Sequence, residues 1–290
     1  MRIAVGIATR GRAAILGEVL SDLARQTRAP DEVIVCHVGP EDVADLPARF
    51  PAMRFMTAPA GLPRQRNAIL DAAAEADAVL FLDDDFFCAP GYLAVTEAVL
   101  QARPDCVVTT GTVIADGAKG PGIPVDEARR ILAADEGTPD PMAVTPHFNG
   151  YGCNMAFRMA PVRAHRIRVD EALPLYAWYE DIDVTRQLGR HGTILRLAGA
   201  RGVHLGAKSG RVAGTRLGYS QVANPVYLAR KGTFPWSHAI PSAARHLAMN
   251  ALRSPWPEPH ADRFGRLRGN LIAIADLVRG RAHPGRIMDL

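Results

Sequence analysis

Short runs of apolar, β-forming residues alternate with amphipathic segments along the first 115 residues, and this alternation limits the possible fold more than any other feature. Between the first two runs, Ile15, Val19 and Leu23 recur at the spacing of one helix face. Strand, helix and strand in repeated order produce a parallel sheet with helices on its faces, so we predict an α/β fold. The predicted strands are Arg2–Thr9, Glu32–Val38, Met53–Thr57 and Ala78–Leu82, and the predicted helices are Ala14–Gln26 and Leu62–Ala76.

The later part of the chain completes this sheet and then becomes helical. Residues 115–146 are rich in Gly, Pro and Asp, which predicts a loop that covers a site and contains one short helix. Residues 207–218 predict a basic loop. The predicted elements are helix Ala89–Ala102, strand Cys106–Ile114, helix Val125–Ala134, strand His147–Arg158, helix Tyr179–His191, strand Thr193–Leu205 with a turn at Gly199, and helices near Ser220–Arg230, Pro241–Leu252 and Asp262–Arg279.

Composition excludes several classes of protein. No run approaches the roughly 18 to 20 uninterrupted apolar residues that span a bilayer, because charge, Gly or Pro interrupts each candidate. The first residues lack the pattern of a secretion leader, so we expect a cytoplasmic protein. The four cysteines (Cys36, Cys88, Cys106 and Cys153) lie far apart without CxxC spacing, which argues against a zinc site or a disulfide framework.

Charged residues are distributed unevenly along the chain. Residues 1–200 carry 20 basic and 26 acidic side chains, net −6, whereas residues 201–290 carry 14 and 4, net +10. A basic block of this kind favours a polyanionic partner: the phosphates of a small ligand, a nucleic acid or an anionic membrane surface. We therefore predict a basic helical C-terminal extension over residues 206–290, following a sheet domain over residues 1–205.

Three consecutive carboxylates, Asp83, Asp84 and Asp85, follow the predicted central strand in LFLDDDF. Adjacent carboxylates repel one another unless a cation or hydrogen-bond donors neutralise them. They lie at the carboxyl edge of a parallel sheet, where ligands bind, and oxygen ligands favour Mg²⁺ or Mn²⁺. The alternative is an acidic turn that caps the next helix, but one Asp suffices for a cap.

A second acidic group begins a predicted helix in WYEDIDVTRQLGRHG. Helical geometry places Glu180, Asp183 and Val184 on one face, with Asp181 pointing elsewhere near the helix start. The helix dipole alone explains acidic residues at this position, so the motif by itself leaves a structural role equally open.

Two further candidates are weaker alone. In GLPRQRN, Arg64 and Arg66 together with the free N–H groups of the helix start could bind a phosphate. The alternative is a basic helix start whose arginines are simply exposed. His204 follows a predicted strand and offers a neutral imidazole to a metal, although a lone His is more often a packed or exposed residue.

The order of these motifs resembles the inverting family 2 glycosyltransferases, which have the A-type nucleotide-sugar-binding fold. The resemblance covers about residues 1–205 and implies a Rossmann-like, mostly parallel sheet flanked by helices, with a donor half (1–115) and an acceptor half (116–205). The matching stretches are IATRGR, DEVIVCHVGPED, GLPRQRN, FLDDDF, GYGCNMAFR, YEDIDVTRQLGRHG and His204.

The resemblance also implies roles for residues. Asp181 resembles the catalytic base, and Glu180 the residue that supports the acceptor or donor sugar. Asp85 and His204 resemble the ligands of Mg²⁺ or Mn²⁺. The implied donor-binding residues are Thr9, Arg10, Arg12, His37, Arg66, Asp83 and Asp84. At His37 the sequence departs from the family, which usually has an Asp there that contacts the base.

The implied reaction moves a sugar from a nucleoside-diphosphate sugar to an acceptor hydroxyl with inversion. The basic extension, with its Trp and Phe residues, suits a polyprenyl-diphosphate-linked acceptor at the inner face of the cell membrane, although a solvated basic face and a soluble sugar acceptor remain open. A nucleotidyltransferase acting on sugar phosphates is the alternative enzyme, but TRGRAAILGE is a poor phosphate loop. A nucleic-acid binder is disfavoured by the acidic first 200 residues.

Overall fold

The computed structural model describes residues 1–208, 213–256 and 258–290. Strands and helices occur together, which confirms the predicted α/β class. The strands are β1 Ile3–Ala8, β2 Glu32–His37, β3 Arg54–Thr57, β4 Ala78–Asp83, β5 Phe86–Cys88, β6 Cys106–Asp116, β7 Val144–Pro146, β8 Asn154–Arg158 and β9 Thr193–His204. The helices are α1 Ala13–Leu23, α2 Leu46–Arg49, α3 Leu62–Ala72, α4 Tyr92–Ala102, α5 Val125–Ala133, α6 Met159–Ala164, α7 Glu180–Leu188, α8 Gly214–Lys231, α9 Trp236–Arg253 and α10 Arg263–Val278.

The nine strands form one sheet in the order β3-β2-β1-β4-β8-β6-β9-β5, with β7 paired to β9. The first four strands are parallel, as predicted. Strand β8 enters antiparallel between β4 and β6, so the second half of the sheet is mixed. Nearly every residue of β1 and β4 is buried, as expected for strands covered on both faces. The parallel strands therefore bring their carboxyl ends, including Asp83, to one edge.

The described residues fall into two compact units, drawn from Met1–Ala60, Arg64–Arg168 and Gln187–Gly210 for the first, and Gly61–Pro63, Val169–Arg186 and Arg211–Leu290 for the second. The first unit contains the whole sheet. In the second, α8, α9 and α10 pack on one another around Tyr219, Val222 and Ala273. The described ranges contain no helix that combines the length and the hydropathy of a membrane-spanning segment.

Several elements around the sheet differ from their predicted extents, and the helices α1, α3 and α7 end three or four residues earlier than predicted. The predicted helix Ala89–Ala102 begins at Tyr92, because Phe86–Cys88 forms β5, which pairs with β9. The predicted strand His147–Arg158 is wrong before Asn154. Its hydrogen-bonded ladder with β4 and β6 begins after the Asn149-Gly150 and Gly152 positions, which favour turns.

The predicted loop over residues 115–146 is more regular than expected. Strand β6 extends to Asp116, a 3₁₀ turn follows at Gly117–Lys119, and β7 ends the segment. Strand β9 does not turn at Gly199. It continues to His204, and the irregularity appears as a shift in register against β6.

Helices α8 and α9 are longer than predicted and contain Pro225 and Pro241, whereas α10 is one residue shorter at each end. Helix α8 starts at Gly214, within the predicted basic loop 207–218. Residues 209–212 of that loop lie outside the described residues.

Candidate active site

Asp83, Asp84 and Asp85 lie where β4 ends and the chain turns into β5. Strand β5 leaves β4 and pairs antiparallel with β9, so that Phe86 lies directly opposite His204, the last residue of β9. This long-range pairing brings the third Asp beside a histidine that is distant in sequence.

Asp83, Asp85 and His204 form a potential metal site, since one possible ligand atom from each lies within 4.8 Å of the others. His204 Nε2 is 3.4 Å from Asp85 Oδ1 and 3.9 Å from Asp83 Oδ2. Asp85 Oδ2 accepts a hydrogen bond from the backbone N–H of Ala207 at 2.7 Å. Asp85 Oδ1 is buried and accepts no hydrogen bond from the described residues. Two carboxylates and an imidazole fit a divalent cation, and the unsatisfied buried oxygen of Asp85 is one of the atoms that could bind it.

Burial and charge shift the pKa values of these groups. Burial raises the pKa of Asp83, although Arg66 and His204 oppose the rise. Burial acts in the same direction on Asp85, but contacts with His204 outweigh it and lower the Asp85 pKa. Burial disfavours the charged form of His204, yet hydrogen bonding with Asp116 and the charges of Asp85 and Asp83 raise its pKa to about 10. The cluster therefore attracts positive charge, as a cation site must.

Asp84 is held by the loop that follows β1. Thr9 Oγ1 donates a hydrogen bond to Asp84 Oδ2 at 2.7 Å, and Arg12 Nη1 donates to Asp84 Oδ1 at 2.8 Å. Arg12 also lies 3.6 Å from Asp85 and donates to the carbonyl of Ala207 at 3.3 Å. Thr9 and Arg12, two predicted donor-binding residues, thus both contact the third, Asp84.

Arg66, on α3, places a buried positive charge on the other side of Asp83. Its side chain is 2% exposed, and Nη2 donates to Asp83 Oδ1 at 3.2 Å and to the carbonyl of Gly152 at 2.6 Å. The guanidinium also lies over the Phe81 ring, 5.4 Å from its centroid. Arg66 offsets part of the acidic charge and fixes the orientation of Asp83.

The loops after β1 and β2 contain the remaining predicted donor residues. His37 is buried at the end of β2, with Nδ1 2.8 Å from the carbonyl of Gly39, and Arg10 is exposed. Sequence reasoning missed Asp42, which accepts hydrogen bonds from the N–H groups of Gly11 at 2.7 Å and Gly39 at 2.9 Å and thereby joins the two loops. The GPED turn after β2 is the signal that could have indicated it.

Helix α7 begins at Glu180, and its residues up to Arg186 belong to the second unit. Glu180 is buried, and Asp181 is half-buried with Oδ1 accepting a hydrogen bond from the next backbone N–H at 2.8 Å. Asp183 is completely buried and accepts hydrogen bonds from Lys231 and Thr233, both at 2.7 Å. Asp183 therefore links α7 to Lys231 and Thr233 within the second unit.

The segment before α7 has an unusual backbone. Leu175, Ala177 and Tyr179 have φ values of 59°, 53° and 74°, in the left-handed region that favours glycine. Such residues cost about 1–3 kcal/mol each and persist where packing fixes them. Tyr179 hydrogen bonds to Ser242, and its ring packs on Phe234 with centroids 5.6 Å apart. These contacts determine where the Glu180–Asp181 helix start lies within its unit.

Solved structures of Staphylococcus aureus TarS share this fold. TarS 1–349 matches with a TM-score of 0.53 and 15% identity, covering 97% of this chain and 92% of that one. The same fragment in complex with UDP-GlcNAc gives a TM-score of 0.51 at 15% identity, covering 97% and 93%. Another TarS structure gives 0.52 at 18% identity, but the match covers 77% of this chain and 40% of the TarS chain. The chain therefore has the A-type glycosyltransferase fold.

The family assignment comes from sequence. Residues 4–164 match the family model of glycosyl transferase family 2. The uncharacterized glycosyltransferase YwdF of Bacillus subtilis (strain 168) is 31% identical over 97 residues, which are 32% of this chain and 36% of YwdF. This match thus spans little more than a third of that relative. Because the family model covers more than half of the chain, the chain belongs to glycosyl transferase family 2.

Proposed function

We propose that this protein transfers a sugar from a nucleoside-diphosphate sugar to an acceptor hydroxyl, with inversion at the anomeric carbon. The observation that carries the proposal is the Asp83–Asp85–His204 cluster at the sheet edge of a family 2 chain. The TarS fragment with the same fold has been solved with UDP and with UDP-GlcNAc, which supports a donor of this chemical class.

In this proposal Asp85 and His204 bind Mg²⁺ or Mn²⁺, and Asp83 contacts the donor beside them. A divalent cation, when bound, offsets the negative charge of the departing diphosphate. Asp85 Oδ1 is buried and accepts no hydrogen bond from the described residues, so it is the atom best suited to bind such a cation. Arg12 and Arg66 neutralise the neighbouring carboxylates and hold them in place.

Asp181 serves as the base in this proposal. An acceptor hydroxyl that attacks the anomeric carbon must lose its proton as the new bond forms, and a carboxylate within hydrogen-bond reach takes that proton. Asp183 is unsuitable as the base because its two carboxylate oxygens accept hydrogen bonds from Lys231 and Thr233. Glu180, at the helix start, supports the acceptor or the donor sugar.

The acceptor is proposed to be a sugar, free or linked to polyprenyl diphosphate, in bacterial polysaccharide or glycolipid synthesis. Residues 1–115 would form the donor half and 116–205 the acceptor half, followed by the 206–290 extension. Contacts group residues 61–63 and 169–186 with the C-terminal helices. The proposed acceptor region therefore includes the start of α7 together with those helices.

A thermal-shift screen tests this function against its alternatives. A nucleoside diphosphate with Mn²⁺ should raise the melting temperature selectively, because a ligand that binds the folded state stabilises it by mass action. The same nucleotide with EDTA should have little effect. Stabilisation by nucleic acid alone would contradict the proposal, as would stabilisation by a nucleoside triphosphate and not by any diphosphate.

We further propose that the C-terminal helices contact an anionic membrane from its cytoplasmic side, which makes the protein peripheral there. Helix α10 presents Phe264, Leu271 and Val278 at seven-residue spacing, 70%, 55% and 85% exposed. Its opposite face packs on α8 through small residues, where a side chain at Gly269 would meet the carbonyl of Thr215 at 2.0 Å. Large apolar side chains thus point outward, as in helices that lie on a bilayer.

Charge on this outward face suits anionic lipid. Arg268 lies one turn from Phe264 on the same face and is exposed, as is Arg245 on α9. The acidic side chains of the region have partners within it: Glu258 pairs with Arg263, Asp276 with Tyr219 and Asp289 with Arg286, and the exposed Asp262 accepts a hydrogen bond from the N–H of Gly265. Each exposed Arg near an anionic surface contributes about 1 kcal/mol.

Flotation with anionic vesicles tests the membrane contact. The variant Leu271→Ser/Arg268→Glu should lose most of its vesicle binding at low salt, whereas Arg25→Glu, with a side chain 73% exposed in the first unit, should bind as the wild type does. Arg263 is unsuitable for this test because Glu258 holds it, and Arg266 is half-buried.

Wild-type protein that does not float at low salt would contradict the membrane contact. A dimer in light scattering that the same double substitution dissociates would instead assign the face to a second copy of the chain.

A further inference from the structure

Asp116, the last residue of β6, lies directly opposite His204 in the register of β6 and β9. Its Oδ1 is 2.9 Å from His204 Nδ1. Its Oδ2 accepts a hydrogen bond from the Tyr151 hydroxyl at 2.8 Å. Both oxygens of Asp116 are therefore used in a chain that runs from Tyr151 through Asp116 to the imidazole.

This contact determines which imidazole nitrogen faces the acidic cluster. Because Nδ1 is turned toward Asp116, Nε2 is turned toward Asp85 Oδ1 and Asp83 Oδ2, 3.4 and 3.9 Å away. A histidine that binds a metal through one nitrogen usually donates from the other to a carboxylate or carbonyl, which fixes the ring and its tautomer.

The backbone around Asp116 is held firmly. Asp116 Oδ1 also accepts a hydrogen bond from the N–H of Ala118 at 2.9 Å, at the start of the 3₁₀ turn. A side chain at Gly117 would meet the carbonyl of Leu205 at 2.0 Å, so this turn packs backbone to backbone on the residue after His204. Asp116 and His204 are thus fixed to each other by strand register, by the turn and by their own contact.

We propose that Asp116 is a positioning residue for the metal site, with Tyr151 orienting its carboxylate. Asp116 holds the proton on His204 Nδ1 and aims Nε2 at the cation that Asp85 also binds. The inference rests on the proposed metal site, but it concerns residues to which that proposal gives no part.

The test is Mn²⁺ affinity, measured by titration with electron paramagnetic resonance on the 290-residue chain. Asp116→Ala should weaken binding about 10- to 100-fold, the usual cost of removing the partner of a metal-binding histidine. Asp116→Asn keeps the shape and an acceptor oxygen, so it should lose less. Asp105→Ala is the matched control, because this exposed carboxylate precedes the opposite end of β6 and should leave affinity unchanged.

A double-mutant cycle separates positioning from simple loss of charge. If Asp116 acts through His204, Asp116→Ala should cause little further loss in a His204→Ala background. An equal loss with and without His204 would overturn the inference, since it would show a general electrostatic effect. Unchanged affinity in folded Asp116→Ala and Asp116→Asn proteins would also overturn it. Wild-type protein that binds no Mn²⁺ would instead contradict the metal site itself, and the inference with it.

Discussion

Replacing Asp85 with Ala should abolish metal-dependent binding of a nucleoside diphosphate. Asp85 is 1% exposed, and its Oδ1 lies 3.4 Å from His204 Nε2. Loss of a proposed ligand should cost more than the roughly 10- to 100-fold that follows loss of a residue hydrogen-bonded to a ligand. Calorimetric titration of the diphosphate with and without Mn²⁺ measures the effect.

The experiment must distinguish loss of metal binding from loss of folding, because Asp85 is buried and also accepts a hydrogen bond from the N–H of Ala207. Asp85→Asn keeps the shape, and Asp45→Ala removes a carboxylate that is 71% exposed. A folded Asp85→Asn protein with wild-type affinity in the presence of Mn²⁺ would refute the assignment.

Replacing Asp181 with Asn should lower turnover about a hundredfold or more while changing donor affinity little. The amide keeps the size of the carboxylate and can still accept from the backbone N–H of the next residue. It cannot take the proton of the acceptor hydroxyl, and loss of a general base typically costs roughly 10²- to 10⁴-fold. Steady-state kinetics of transfer and a donor titration together measure this.

The neighbouring acids supply comparisons for this experiment. Glu171→Gln changes an exposed carboxyl of the same unit and should leave turnover unchanged. Near wild-type turnover in Asp181→Asn, combined with a large loss in Glu180→Gln, would transfer the role of base to Glu180.

Sequence patterns located the strands β1 to β4 well and missed the three-residue strands β5 and β7. The runs that became β1, β2 and β4 are continuous apolar segments, so local sequence largely determines them. Strand β5 has three residues, and its pairing with β9 defines it, which no local pattern reveals. Pairing with β9 also defines β7, which the sequence analysis missed. The turn predicted at Gly199 is wrong, because β9 continues through this position in its pairing with β6.

The same distinction applies to the site. Local sequence treats the three adjacent Asp residues alike, and only the resemblance to the family singled out Asp85 as a metal ligand. The structure separates them by their partners: Asp84 is bound by Thr9 and Arg12, whereas Asp85 keeps an unsatisfied buried oxygen beside His204. Asp116 could not be predicted, because only the register of β6 and β9 shows that it meets His204.

The most direct test of the central claim is acceptor-free consumption of nucleotide sugars by the purified protein. A panel of nucleoside-diphosphate sugars is incubated with Mn²⁺ or with EDTA, and the released nucleoside diphosphate is measured. We predict that at least one donor is slowly hydrolysed with Mn²⁺, and that EDTA or Asp85→Asn reduces the rate to background. Glycosyl transfer would be contradicted if no donor were consumed while a sugar phosphate and a nucleoside triphosphate yielded pyrophosphate and a new nucleotide sugar.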